Sequence, residues 1–233
     1  MTGPAVPQEE PALEFDNSML VDERELLTPS GRRDFEAGMS YFPPIVLALL
    51  VLNVGMFIWQ LSVGALENEH TIVAFGALSR AHVLDGELWR LVSPMVLHGS
   101  VEHLLGNCSA LYILGMGCEH GVGGARTAAI YLLTGIGASL ASVAVNEGPS
   151  VGASGAVFGL MGFLIVFLVR HRATFEVRDK RVATVLVVWA AYTLVTGALT
   201  PYIDNAAHLG GLVAGAGIGL LGGKRVAQCE GRR

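Results

Sequence analysis

Residues 152–169 read Gly-Ala-Ser-Gly-Ala-Val-Phe-Gly-Leu-Met-Gly-Phe-Leu-Ile-Val-Phe-Leu-Val. The stretch carries no charge, and at about 1.5 Å of rise per residue a helix of this length nearly crosses the hydrocarbon core of a bilayer. Its one hydroxyl, Ser154, sits at the start between Ala153 and Gly155. Gly155 and Gly159 recur at helical spacing and form a smooth face for a neighbouring helix. The rest of the chain agrees with a membrane helix here: 52% of residues are hydrophobic, 15% are charged, and there are 30 glycines.

Five more segments of this kind flank it. They run over 43–66, 101–118, 127–145, 182–199 and 205–222, which predicts an all-α polytopic bundle of six transmembrane helices. The second, fourth and sixth are the least uniformly apolar, and polar chemistry is expected there. With the N-terminus placed in the cytoplasm, every Lys and Arg except Arg80 and Arg90 falls on the cytoplasmic side. The positive-inside rule then puts both termini in the cytoplasm. The expected organisation is a polar, disordered cytoplasmic tail over 1–42, a membrane domain over 43–222 and a short basic cytoplasmic tail over 223–233. No cleavable leader is read in the polar, acidic first 40 residues, so the first apolar helix is expected to serve as the membrane address.

The stretch from Glu67 to Gly99 is long for a loop. Its Phe75, Leu78, Val83, Leu84, Trp89 and Leu91 predict packing against the bundle or the membrane interface. No basic patch is interleaved with aromatics, so no nucleic-acid partner is expected. Cys108, Cys118 and Cys229 match no metal spacing and read as apolar fillers or free thiols. His70, His82, His120 and His171 read as solvated or interfacial. No His-x-x-x-His or His-Glu pairing on one helix suggests a metal, and no cofactor is expected.

Polar groups inside spans are costly and usually face the bundle interior. Ser154 has two readings, a packing residue or a nucleophile. For the second, Gly152 and Gly155 let a carbonyl approach, and the helix start offers unpaired N–H donors to an oxyanion. His208, in Ala-Ala-His-Leu-Gly-Gly, is a structural hydrogen-bonder or a general base. Gly211, Gly215 and Gly219 make a small-residue face below it. Packing that face on Gly155 and Gly159 would bring His208 to Ser154, the minimal activated nucleophile. No span carries an acid to complete a triad, and Asp204 lies too far out to orient the ring, so a dyad is inferred. Phe158, one turn after Ser154, is either ordinary core or a ring held against His208. His103 and Asn107, four apart on one face, are interhelical polar glue or oxyanion donors. His98 is expected to support the fold, and Glu119 to make a buried structural bond or anchor a loop.

Taken together these residues resemble the rhomboid family of intramembrane serine proteases, over about Trp89 to Leu221. Trp89-Arg90 is similar to the family's loop dipeptide. His98, His103 and Asn107 reproduce its His-x4-His-x3-Asn spacing, and Gly115 to Glu119 its Gly-x3-Glu. Gly152-Ala153-Ser154-Gly155 resembles the nucleophile motif, and Ala207-His208 with Gly211 and Gly215 the last helix. The resemblance implies Ser154 as nucleophile and His208 as base, with His103, Asn107 and the Ser154 backbone as the oxyanion site. It also implies a wet cavity open to the non-cytoplasmic side. The fifth span would form a lateral gate, in which Trp189 either takes part or simply packs. Substrates would be single-pass transmembrane proteins cut within the lipid bilayer of the cell membrane, often beside a small residue. Gly106 and Cys108 depart from the bulkier residues common beside Asn107, and Phe158 stands where some members have Tyr. Two rivals are a catalytically silent rhomboid-like binding or chaperone protein and a small channel lined by His208 and Asn107.

Overall fold

The computed structural model describes residues 28–177, 182–200 and 203–222. Within them the chain is an all-α bundle. Its helices are α1 (Pro44–Ser62), α2 (Glu69–Phe75), α3 (Arg80–Leu84), α4 (Val101–Val122), α5 (Gly124–Val145), α6 (Ser154–Arg170), α7 (Val182–Leu199) and α8 (Asn205–Leu221). Six of these coincide, within a few residues at each end, with the six apolar segments of the sequence. By length and hydropathy α1 and α5 qualify as candidate membrane spans, and the apolar parts of α6, α7 and α8 are shorter.

The helix with the serine is the centre of the bundle. α6 buries an unbroken run from Gly155 to Leu164, as expected of a helix that is apolar all round. α4, α5 and α8 pack around it. The α6–α8 contact is made by the two glycine faces. A Cβ on Gly211 would collide with the carbonyl oxygen of Gly155, and one on Gly215 with that of Gly159. Backbones at this separation leave no room for any side chain, which is why both faces are glycine.

The outer helices show the opposite pattern. α1 buries only Val46, Asn53, Phe57 and Gln60, a single narrow stripe. Of the described residues of α7 only Leu186, Ala190 and Gly197 are buried. Val51, Ile58 and Trp59 of α1 and Val185, Val188, Tyr192 and Val195 of α7 are exposed. An apolar outer band of this extent suits acyl chains and not water.

α1 has no acid of its own in its first turn and begins on Pro44. Glu119, near the end of α4, caps it instead. Its carboxylate accepts the N–H groups of Ile45 (3.2 Å) and Val46 (3.0 Å). A helix start satisfied by a carboxylate gains both the hydrogen bonds and the dipole interaction.

The 67–99 stretch is folded against the bundle, as its apolar content requires. It holds α2, α3 and two short 3-10 turns over Leu88–Leu91 and Ser93–Val96. The buried Arg90 organises it. Arg90 Nη1 donates to the carbonyls of Val73 (2.7 Å) and Ala77 (2.8 Å), Nε to Glu87 (2.7 Å), and the guanidinium lies over the Trp89 ring. Every charge-assisted donor that the burial isolates from water thereby finds an acceptor or a ring.

One expectation needs correction. Residues 28–42 were expected within a disordered tail, yet 28–37 are folded, and 1–27 lie outside the described residues. β1 (Arg33–Asp34) pairs in parallel with β2 (Phe175–Glu176) in the α6–α7 connection. Thr28 and Ser30 donate hydroxyls to the Glu176 carboxylate, which also pairs with Arg32 at 3.1 Å. Phe35 is 5% exposed. A buried phenyl contributes about 1.5–3 kcal/mol toward holding this segment, alongside the strand pair and the bonds to Glu176. His120, expected as solvated or interfacial, is half-buried and meets the same ring edge to face at 5.3 Å.

Candidate functional site

The site starts from a turn that needs glycine. Gly152 has φ of 127°, a region L side chains rarely enter. A Cβ there would also lie 2.6 Å from His103 Nε2 and 3.6 Å from Ser154 Oγ. The turn therefore admits the His103 ring beside the serine. Ala153 then caps α6 and Ser154 is its first helical residue, so the Ser154 N–H belongs to the first turn, where backbone donors have no intrahelical acceptor.

His208 sits in the first turn of α8 and is 6% exposed. Its Nε2 lies 2.8 Å from Ser154 Oγ. The glycine contacts below fix this approach: Gly155 has Ala138 on one side and the Ala207 carbonyl on the other, with no space for a Cβ. Phe158 lies flat on the imidazole, with centroids 4.5 Å apart and planes at 6°. Of its two readings the ring contact is the one observed, and Phe158 is a core residue as well.

His103 of α4 is turned to this centre, its ring against Gly152, and Asn107 lies one turn further along the same helix. The His103 ring meets His98 edge to face at 5.3 Å. Asn107 is buried, and its Nδ2 donates to the His103 carbonyl at 3.0 Å, one turn back along its own helix. His98 is fully buried, and its backbone forms a reciprocal pair with the Gln60 amide (3.0 and 3.1 Å). This ties the end of α1 to the entry of α4. Burial pushes the His98 imidazole down to about 4, and the neighbouring His103 charge pushes in the same direction. A small cavity opens beside Ser154, bounded by Met95, Gly135, Ala138, Ser139, Gly152 and Ala207.

The structure therefore brings Ser154, His208, Phe158, Gly152, Gly155 and His103 to one point. Asn107 and His98 stand behind His103. No carboxylate among the described residues bonds the imidazole, and the buried His208 Nδ1 has no hydrogen-bond partner among them. Asp204, dismissed on distance from the sequence, does not reach the ring but caps α8, its carboxylate accepting the Ala207 N–H at 2.9 Å. The same carboxylate accepts from Ser142 of α5 and from Asn146, the residue that ends α5. An Asp directly before an apolar helical run is an N-cap signal that could have been read; its α5 partners could not.

The family model of the Rhomboid domain matches residues 85–225. The chain is 35% identical over 206 residues to Rhomboid protease GluP of Bacillus subtilis, covering 86% of this chain and 40% of that one. It is 32% identical to Rhomboid protease AarA of Providencia stuartii, over 74% of this chain and 70% of that protein. It is 38% identical to RHOMBOID-like protein 5 of Arabidopsis thaliana, over 65% and 49% of the two chains. The chain thus spans less than half the length of two of these three relatives.

Proposed function

The chain belongs to the rhomboid family of integral membrane proteins, and from that premise we propose that it is an intramembrane serine endopeptidase. Its substrates are transmembrane proteins, cut within or near a membrane helix. The observation that carries the reading is the 2.8 Å contact between His208 Nε2 and Ser154 Oγ inside an apolar bundle.

In this reading the Ser154 hydroxyl donates to Nε2 and attacks the scissile carbonyl as its proton passes to the imidazole. The negative charge on the carbonyl oxygen is met by the Ser154 N–H at the start of α6, with His103 and Asn107 as side-chain donors. Nε2 returns the proton to the leaving amine, and a water activated by the same nitrogen releases the acyl group. Phe158 holds the ring plane throughout and faces the imidazolium with its π cloud. No third acid takes part.

The membrane domain of this reading covers 43–222 with six crossings in the cell membrane. The tails over 1–42 and 223–233 lie in the cytoplasm, and the site opens to the opposite side. α7 is the lateral gate. Its outward-facing character supports this, as does its tie to α8 through the Asn205 amide and the Leu194 carbonyl (2.8 Å). Trp189, 37% exposed on α7, belongs to that gate.

Purified protein in detergent should cleave a model transmembrane substrate, and Ser154→Ala should abolish cleavage. Equal cleavage by the variant would rule out the mechanism. Binding of the substrate without cleavage by the wild-type protein would instead favour the silent, client-binding relative.

A further inference from the structure

A Ser–His pair has to hold its imidazole in one orientation while a positive charge forms on it. In a triad a buried carboxylate on the far ring nitrogen does this. Here the buried His208 Nδ1 has no partner among the described residues. Phe158 fixes the plane of the ring but not its distance from Ser154. That distance is set by where the first turn of α8 sits.

The glycine contacts set how closely the helices approach, and one carboxylate further anchors the first turn of α8. Asp204 Oδ1 accepts the Ala207 N–H at 2.9 Å and the Asn146 amide at 2.6 Å, and Oδ2 accepts the Ser142 hydroxyl. Ser142 is 2% exposed and lies on α5, and Asn146 is the residue that ends that helix. Asp204 is four residues before His208, on the same helical face, and its carbonyl accepts the His208 N–H at 3.1 Å. The carboxylate therefore faces α8 on one side and α5 on the other. Neighbouring Gly210 leaves no room for a side chain against Ala141 of α5, so the two helices touch just below this anchor.

A carboxylate suits this position. All three partners are donors: a backbone N–H, an amide NH2 and a hydroxyl. An ionised Asp offers acceptors only. A Ser could cap the helix but could not reach across to α5.

We propose that Asp204 is a positioning residue for the dyad: its carboxylate locks the first turn of α8 to α5 through Ser142 and Asn146 and thereby sets His208 against the Ser154 hydroxyl. It does the orienting work of a third acid through the backbone, without touching the imidazole. The proposal rests on the protease reading only for its kinetic consequence, since the geometric claim concerns the His208–Ser154 contact itself.

Asp204→Ser separates this role from simple helix capping, because Ser keeps the N-cap bond and loses the bridge to α5. The test compares wild type, Asp204→Ser and Asp204→Ala, each purified in detergent and checked by thermal unfolding. Two quantities are read. One is the rate of Ser154 labelling by a fluorophosphonate, with kcat and KM on a transmembrane substrate. The other is the 15N shift of His208 Nε2 in protein labelled at histidine, which reports its hydrogen bond to Ser154.

The expected result is that Asp204→Ser stays folded, with an unfolding temperature between those of the wild type and Asp204→Ala. Its labelling rate and kcat should fall on the order of 10- to 100-fold, the scale of a small misplacement of a reacting group. KM should stay within about twofold, and the Nε2 signal should shift toward that of Ser154→Ala. Wild-type labelling together with an unmoved Nε2 signal in Asp204→Ser would overturn the proposal and leave Asp204 as a cap only. If the wild-type protein itself is not labelled, the protease reading fails, and the Nε2 shift alone decides the role of Asp204.

Discussion

The Phe158 ring lies parallel to the His208 imidazole, 4.5 Å away at 6°. Each ring is buried, so the stack is sheltered from water and the cationic form of the imidazole meets the negative face of the phenyl. Replacing Phe158 by Leu keeps apolar volume but removes the flat face. We expect fluorophosphonate labelling of Phe158→Leu to slow by about 2- to 10-fold, while Phe158→Tyr labels near the wild-type rate. A Leu variant as fast as wild type would show that the stack is packing alone.

Gly211 sits against the Gly155 carbonyl, whereas Gly217 has open space around its Cα. Gly211→Val should therefore cost about 3 kcal/mol of stability, the upper range for overpacking, and reduce labelling of Ser154. Gly217→Val should be close to neutral in both. Thermal unfolding of the two variants in the same detergent checks the contrast.

Glu119→Ala leaves the N–H groups of Ile45 and Val46 without their acceptor. A loss of about 1–3 kcal/mol is expected, seen as a lower unfolding temperature. Well below that temperature the labelling rate of Ser154 should be unchanged, because α1 touches neither member of the dyad.

The buried His98 is held neutral in the fold, with its titration pushed down to about 4 by burial and then by His103. In the unfolded chain it takes up a proton at the ordinary value near 6.5. The unfolded state thus binds more protons between these two values, and stability falls as pH drops from about 6.5 toward 4. His98→Gln should flatten that part of the stability–pH curve. An unaltered slope would assign the pH dependence to another group.

Much of this was legible in the chain. Unbroken apolar runs such as 152–169 placed six helices, because a lipid-facing or centrally buried helix must be apolar on nearly every side. The glycine repeats of 155, 159, 211 and 215 foretold which two helices meet, and with them the approach of Ser154 to His208. What stayed hidden depends on partners distant in sequence. Asp204 looked too far from His208 because its partners are a helix end, Ser142 of α5 and Asn146 just beyond it. Phe35 looked like part of a polar tail because the pocket that buries it is built from His120, Phe167 and Phe175.

The central claim is that Ser154 is a nucleophile activated by His208. Incubating the purified protein with a fluorophosphonate and locating the adduct tests it without knowledge of the substrate. The account predicts labelling at Ser154 in the wild-type protein, with no labelling in Ser154→Ala or His208→Ala while both variants remain folded. Undiminished labelling of Ser154 in His208→Ala, or no adduct at Ser154 in the folded wild-type protein, would contradict it.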